Sequence, residues 1–240
     1  MTESYFVCAT PRTGSSLLLG LLASTGLAGT PESYFRQPDE QLWADRWKIP
    51  GPADPAFEYR AFVRAAVGAG TTPNGVFGAK LMWGTLDRLV AQLAPSTEGH
   101  DLAVLEAAFG PVRFVYLRRE DELAQAVSWL RAEQTRTWKA GDPGGTAAEP
   151  HYDKAGITSL LDTVADHNAA WRAWFTRYGV APHEITYEQL TADLIGTTRG
   201  VLSYLGLDPD AGRPIQPRHR RQGDQLNEQW AARYRAEIAR

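Results

Sequence analysis

The stretch YFVCATPRTGSSLLLGLLAS, Tyr5 to Ser24, decides the fold. Tyr5–Ala9 is short, apolar and rich in β-formers, which reads as a buried strand. Ser15–Ser24 reads as a helix with Ser15 or Ser16 near its N-cap. Between them lies a tight loop, Thr10-Pro11-Arg12-Thr13-Gly14. A strand, a glycine-containing loop and a helix N-terminus together present free backbone N–H groups to an anion. The hydroxyls of Thr13, Ser15 and Ser16 add donors, and Arg12 adds fixed positive charge. An ordinary polar turn capping a helix is the competing reading, because short Gly/Ser turns are common.

The same alternation continues outward. Gly75–Leu81 predicts a second strand, and Val112–Leu117 (VRFVYL) is the clearest strand in the chain. Helices are expected at 60–69, 86–93, 101–109, 121–138, 153–177, 189–205 and 225–239, with a short strand at His183–Tyr187. Residues 36–60 carry Pro38, Pro50, Gly51, Pro52 and Pro55, so this part is expected to be irregular with one short helix. Strands alternating with helices imply an α/β fold, a parallel sheet covered by helices, in one domain over 1–240. The segment at about 36–72 is expected to be the irregular part of that domain.

Composition excludes several classes. The 240 residues include 25 Lys and Arg against 28 Asp and Glu, a formal net charge of −3, which argues against a nucleic-acid binder. Cys8 is the only cysteine, so no intramolecular disulfide can form, and a reducing compartment is expected. No apolar run approaches the roughly 18 residues of a membrane span. The opening MTESYF has no basic region followed by an apolar core, so a cytoplasmic protein is expected.

In parallel sheets ligands bind beyond the carboxyl ends of the strands. After 112–117 come Arg118 and Arg119, whose guanidiniums suit a phosphate. Pairing to Glu120 or Asp121 is the competing reading. On the following helix, Gln125 and Ser128 share a face. Arg218-His219-Arg220-Arg221 is either a further anion contact or a solvated run. The patterns G-x-x-x-x-G-K-[ST] and G-x-G-x-x-G are both absent. No metal is expected, because His100, His151, His167, His183 and His219 show no ligand spacing.

Several segments carry a resemblance: Pro11–Ser16, Thr25–Gly29, Thr72–Trp83, Gln125–Ser128, Gln134–Trp138, Trp171–Phe175 and Gln229–Arg235. In this order they resemble the bacterial trehalose 2-sulfotransferase family over almost the whole chain. The resemblance implies a sulfotransferase fold related to P-loop kinases. It also implies the sulfuryl donor 3′-phosphoadenosine 5′-phosphosulfate (PAPS), a carbohydrate acceptor and a homodimer. By resemblance, Pro11, Arg12, Thr13, Gly14, Ser15 and Ser16 hold the 5′-phosphosulfate. Arg119 and Ser128 hold the 3′-phosphate, and Arg221 and Gln222 close over the nucleotide.

In the family the general base is a Glu directly before an aromatic pair. Here Ser33 stands at that position, before Tyr34-Phe35, and Glu32 lies one residue earlier. Glu32 is the first choice as base. Ser33, Tyr34, Phe35, Trp83 and Trp138 are the acceptor-binding candidates. Lys80 contacts the sulfuryl group or the substrate, or is a surface lysine. Trehalose is the implied acceptor, with another sugar or a natural-product hydroxyl as the alternative. A small-molecule kinase and a non-catalytic nucleotide-binding module are the competing functions.

Overall fold

The computed structural model describes residues 3–94, 100–138, 149–217 and 225–239. Four strands form one parallel sheet in the order β2-β1-β3-β4: β1 (Glu3–Ala9), β2 (Val76–Met82), β3 (Val112–Arg118) and β4 (His183–Thr186). Val7 of β1 lies in register with Lys80 of β2 on one side and Val115 of β3 on the other. All but the first residue of β1 are buried, which explains an apolar run with no alternation.

Alternate side chains divide the core. Phe6, Cys8, Phe77, Ala79, Leu81, Phe114 and Tyr116 meet α3 (Tyr59–Gly70), α4 (Trp83–Leu93), α5 (Asp101–Phe109) and α7 (Lys154–Tyr178) on one face. Tyr5, Val7, Val115, Leu117 and Ile185 meet α1 (Ser15–Thr25), α8 (Tyr187–Ala192) and α9 (Leu194–Tyr204) on the other. A third cluster joins α6 (Glu122–Thr135) to α7 and α10 (Gln225–Ile238) through Val127, Ile157, Val164 and Trp230.

The chain leaves β1 toward β2 but leaves β3 toward β4, so the connections diverge between β1 and β3. In open α/β sheets that divergence opens a crevice beyond the strand ends. The loops 10–14 and 119–121 border it.

Three local expectations need correction. Residues 37–47 form a full helix, α2 (Gln37–Trp47), where only a short one was expected within irregular chain. Pro38 stands in its first turn, where the missing N–H costs nothing and the fixed φ suits a helix. The helix expected over 189–205 is two helices, because the Asp193 side chain accepts from Gly196 N and starts α9 afresh. α6 ends at Thr135 rather than at 138, with Arg136 in the left-handed conformation.

Candidate active site

The loop after β1 has an unusual backbone. Arg12 adopts φ 69° and Gly14 φ 84°, both left-handed. Such a conformation is costly for a side chain like arginine and persists only where its surroundings enforce it. Gly14, not Ser15 or Ser16, is the N-cap of α1, and among the described residues no side chain caps this helix. Its first-turn amides therefore face the crevice without a side-chain acceptor. A Cβ at Gly14 would come within 2.7 Å of the Tyr187 ring, so only glycine fits. Thr13 is buried and donates to the Thr10 carbonyl, tightening the turn at 3.0 Å.

α6 grips this loop from one side. Gln125 Nε2 donates to the Pro11 carbonyl at 2.8 Å, and Arg12 Nε donates to Ser128 Oγ at 3.0 Å. Arg12 Nη1 also donates to the Trp138 carbonyl at 2.7 Å. Arg12 and Ser128 open onto a cavity of about 240 Å³, shared with Arg131, Thr135, Thr137 and Asn227. Two guanidiniums and three hydroxyls make this cavity suited to an anionic, hydrogen-bonding ligand.

The other side is built at the end of β4. The Arg119 guanidinium carbon lies 4.6 Å from the Tyr187 ring centre, a cation–π contact, and Arg119 Nε is 3.9 Å from Glu188 Oε1. The Glu188 carboxylate also accepts from Glu120 N at 3.0 Å and Asp121 N at 3.4 Å. It thereby ties the turn after β3 to the start of α8. Arg118 instead lies 4.0 Å from Glu120 on the surface.

The structure thus brings together Pro11, Arg12, Thr13, Gly14, Ser15, Ser16, Arg119 and Ser128 around one crevice. Tyr187, Glu188, Arg131 and Asn227 were missed by the sequence reading. Tyr187 and Glu188 carried an available signal, since they stand at the carboxyl end of a strand, as Arg119 does. Arg131 lies one turn beyond Ser128 on the same helix, and Asn227 comes from a remote helix. Arg221 and Gln222 lie outside the described residues.

The expected acceptor residues are spread more widely. Glu32 forms a parallel bridge with Ala79, and its carbonyl accepts from Lys80 N at 2.9 Å. Ala79 faces the aromatic core, and alternation along β2 turns Lys80 to the opposite face of the sheet. Lys80 is largely buried, so a surface lysine is not what the fold makes of it. Tyr34 and Phe35 are only 2% and 1% exposed, which corrects their placement on an acceptor wall. They pack with Trp43, Phe77 and Phe109. Tyr34 donates its hydroxyl to the Thr30 carbonyl. Burial first, and then the Glu32 carboxylate, push its phenol well above the ordinary range. Trp83 sits at the carboxyl end of β2, edge-on to Trp171 at 5.1 Å. Trp138 is exposed and meets the crevice through its carbonyl.

The chain is similar to known proteins over nearly its whole length. Residues 4–237 match the model of the Stf0 sulphotransferase family. A trehalose 2-sulfotransferase of Mycobacterium tuberculosis is 34% identical over 98% of this chain and 96% of its own length. The trehalose 2-sulfotransferase of Mycolicibacterium smegmatis is 33% identical over 99% of this chain and 96% of its own. The crystal structure of a sulfotransferase from Alicyclobacillus acidocaldarius is 13% identical, with a TM-score of 0.53 over 100% of this chain and 94% of that one. It shares the parallel, P-loop-kinase-like fold. With its strand-end loops disposed for an anion, the chain belongs to the Stf0 sulphotransferase family and is an enzyme that transfers a sulfuryl group.

Proposed function

We propose that the enzyme moves the sulfuryl group of PAPS to a hydroxyl of a carbohydrate, with trehalose the first acceptor to test. One observation carries this reading. Two arginine-bearing loops, at Arg12 and Arg119, end neighbouring strands of one crevice, and Ser128 links the first of them to α6. A nucleotide with phosphates at its 3′ and 5′ positions calls for two such anion sites. The trehalose 2-sulfotransferase relatives support the acceptor class.

The donor supplies the sulfuryl group. Arg12 and the first-turn amides of α1 supply fixed positive potential where negative charge develops, a preorganised arrangement of the oxyanion-hole type. Arg119 and Ser128 hold the 3′-phosphate, and Arg221 and Gln222 close the nucleotide site. Glu32 is the proposed base, as the only carboxylate between Pro31 and Phe35. Lys80, Ser33, Trp83 and the backbone of Trp138 border the acceptor, and residues 36–72 shape its pocket within a single 1–240 domain. Family likeness supports a homodimer, and the single cysteine supports a cytoplasmic setting; light scattering checks the former.

Calorimetry with adenosine 3′,5′-bisphosphate tests the donor. Binding is expected with and without a chelator, since arginines rather than a metal provide the charge. A strict magnesium requirement, or tighter binding of ATP, would favour a kinase. Transfer of label from PAPS to trehalose tests the acceptor, and a nucleotide-binding protein without transfer would be a non-catalytic module.

A further inference from the structure

We infer that Gln125 is a positioning residue that enforces the left-handed backbone of Arg12. This rests on the reading of Arg12 as the residue that meets the transferred group. The Gln125 side chain is fully buried, and its amide nitrogen donates to the Pro11 carbonyl at 2.8 Å. That carbonyl belongs to the peptide plane directly preceding Arg12 N. Turning this plane is the same motion as changing the φ of Arg12, which stands at 69°. A non-glycine residue disfavours that value, so some contact must hold the plane against relaxation. Gln125 is that contact. One turn further along α6, Ser128 takes the Arg12 side chain at Nε. One helix face therefore fixes both the backbone and the guanidinium of the same arginine.

A second observation separates Gln125 from a packing residue. Its Oε1 is buried and has no hydrogen-bond partner among the described residues. A purely structural position would gain from an apolar side chain there, because a buried unsatisfied acceptor is costly. What the glutamine supplies and an apolar side chain would not is the donor directed at the Pro11 carbonyl. Its orientation follows from the contact, since only the amide nitrogen can face a carbonyl.

The test measures kcat at saturating PAPS and trehalose for wild type, Gln125→Leu, Arg12→Ala and the double variant, with thermal unfolding of each. Gln125→Leu removes the donor at similar volume. A drop in kcat on the order of 10- to 100-fold is expected with little change in melting temperature, as for a displaced catalytic group. In the Arg12→Ala background the same substitution should cost almost nothing, because Gln125 would then have no arginine to position. Gln125→Met, which keeps the length but has no N–H or O–H donor, should behave like Gln125→Leu and serves if that variant fails to fold. The inference is overturned if kcat stays within about two-fold of wild type, or if the full loss persists without Arg12. If wild-type protein neither binds adenosine 3′,5′-bisphosphate nor transfers sulfate, the donor reading falls, and the inference with it. An active wild type with an indifferent Gln125→Leu overturns the inference alone.

Discussion

At the scale of single residues, the proposed base sits in an unexpected frame. Glu32 is anchored by its own backbone, through the bridge to Ala79 and the hydrogen bond from Lys80 N. A one-residue offset in paired backbone turns a side chain to the opposite face. As the proposed base, Glu32 would act from the backbone position paired with Ala79, and a modest contribution is expected. Glu32→Gln is expected to lower turnover on the order of 10²-fold, the low end for general-base removal, while adenosine 3′,5′-bisphosphate affinity stays nearly unchanged. Ser33→Glu restores a carboxylate directly before Tyr34-Phe35 and is expected to raise turnover on trehalose. Full activity in Glu32→Gln, measured as initial rates of label transfer, would assign the proton to another acceptor, such as His151 or water.

At the scale of elements, two ties decide how the site is held. Glu40 of α2 is fully buried and receives both terminal nitrogens of Arg88 from α4, at 2.6 and 2.5 Å. Tyr59 of α3 donates its hydroxyl to the same carboxylate at 3.2 Å. Arg88→Met would strand that carboxylate, and a loss of about 3–5 kcal/mol in urea unfolding is expected. Pairing it with Glu40→Leu should recover most of the loss. An unchanged midpoint in the single variant would contradict the tie. The second tie is Glu188, which holds the turn that carries Arg119. Glu188→Ala is expected to weaken adenosine 3′,5′-bisphosphate by about two- to five-fold, given its partial exposure. Affinity for adenosine 5′-phosphate, which lacks the 3′ group, should hardly change, so equal loss for both nucleotides would argue against this role. The strand–loop–helix at 5–24 and the strand at 112–117 were readable from local pattern, since apolar runs and turn chemistry act within a few residues. Neither tie was readable, because each joins side chains far apart in sequence. The burial of Tyr34 and Phe35 was hidden for the same reason: an aromatic pair after a loop looks alike whether it lines a pocket or fills a core.

For the whole molecule, the parallel sheet explains where a further sensitivity lies. Two histidines, one on a helix beside the sheet and one in the sheet, are partly buried: His167 on α7, 6.4 Å from the Trp129 ring, and His183 at the start of β4, stacked on Tyr204 at 5.0 Å. Burial pushes both imidazoles below their ordinary value of 6.5, with Asp166 acting weakly in the opposite direction at His167. Well above pH 6.5 both are neutral in the folded and unfolded chain alike, and they contribute no pH dependence. As pH falls through 6.5, the unfolded chain takes up these protons first, so unfolding is favoured and stability declines. The decline stops once the folded-state values are passed. Asp210 and Glu237, each held down by an arginine, shift their own losses below 3.8 and 4.5, while burial first and then Asp101 push Asp87 above 3.8. The stretch from pH 6.5 to 5 therefore reports the histidines. Urea midpoints should fall steadily across it for wild type. The double variant His167→Gln, His183→Gln should give a nearly flat line there, while still losing stability at stronger acid. A wild-type midpoint that is constant from pH 7.5 to 5, or a double variant with an undiminished slope, would show that other groups set the acid sensitivity of this fold.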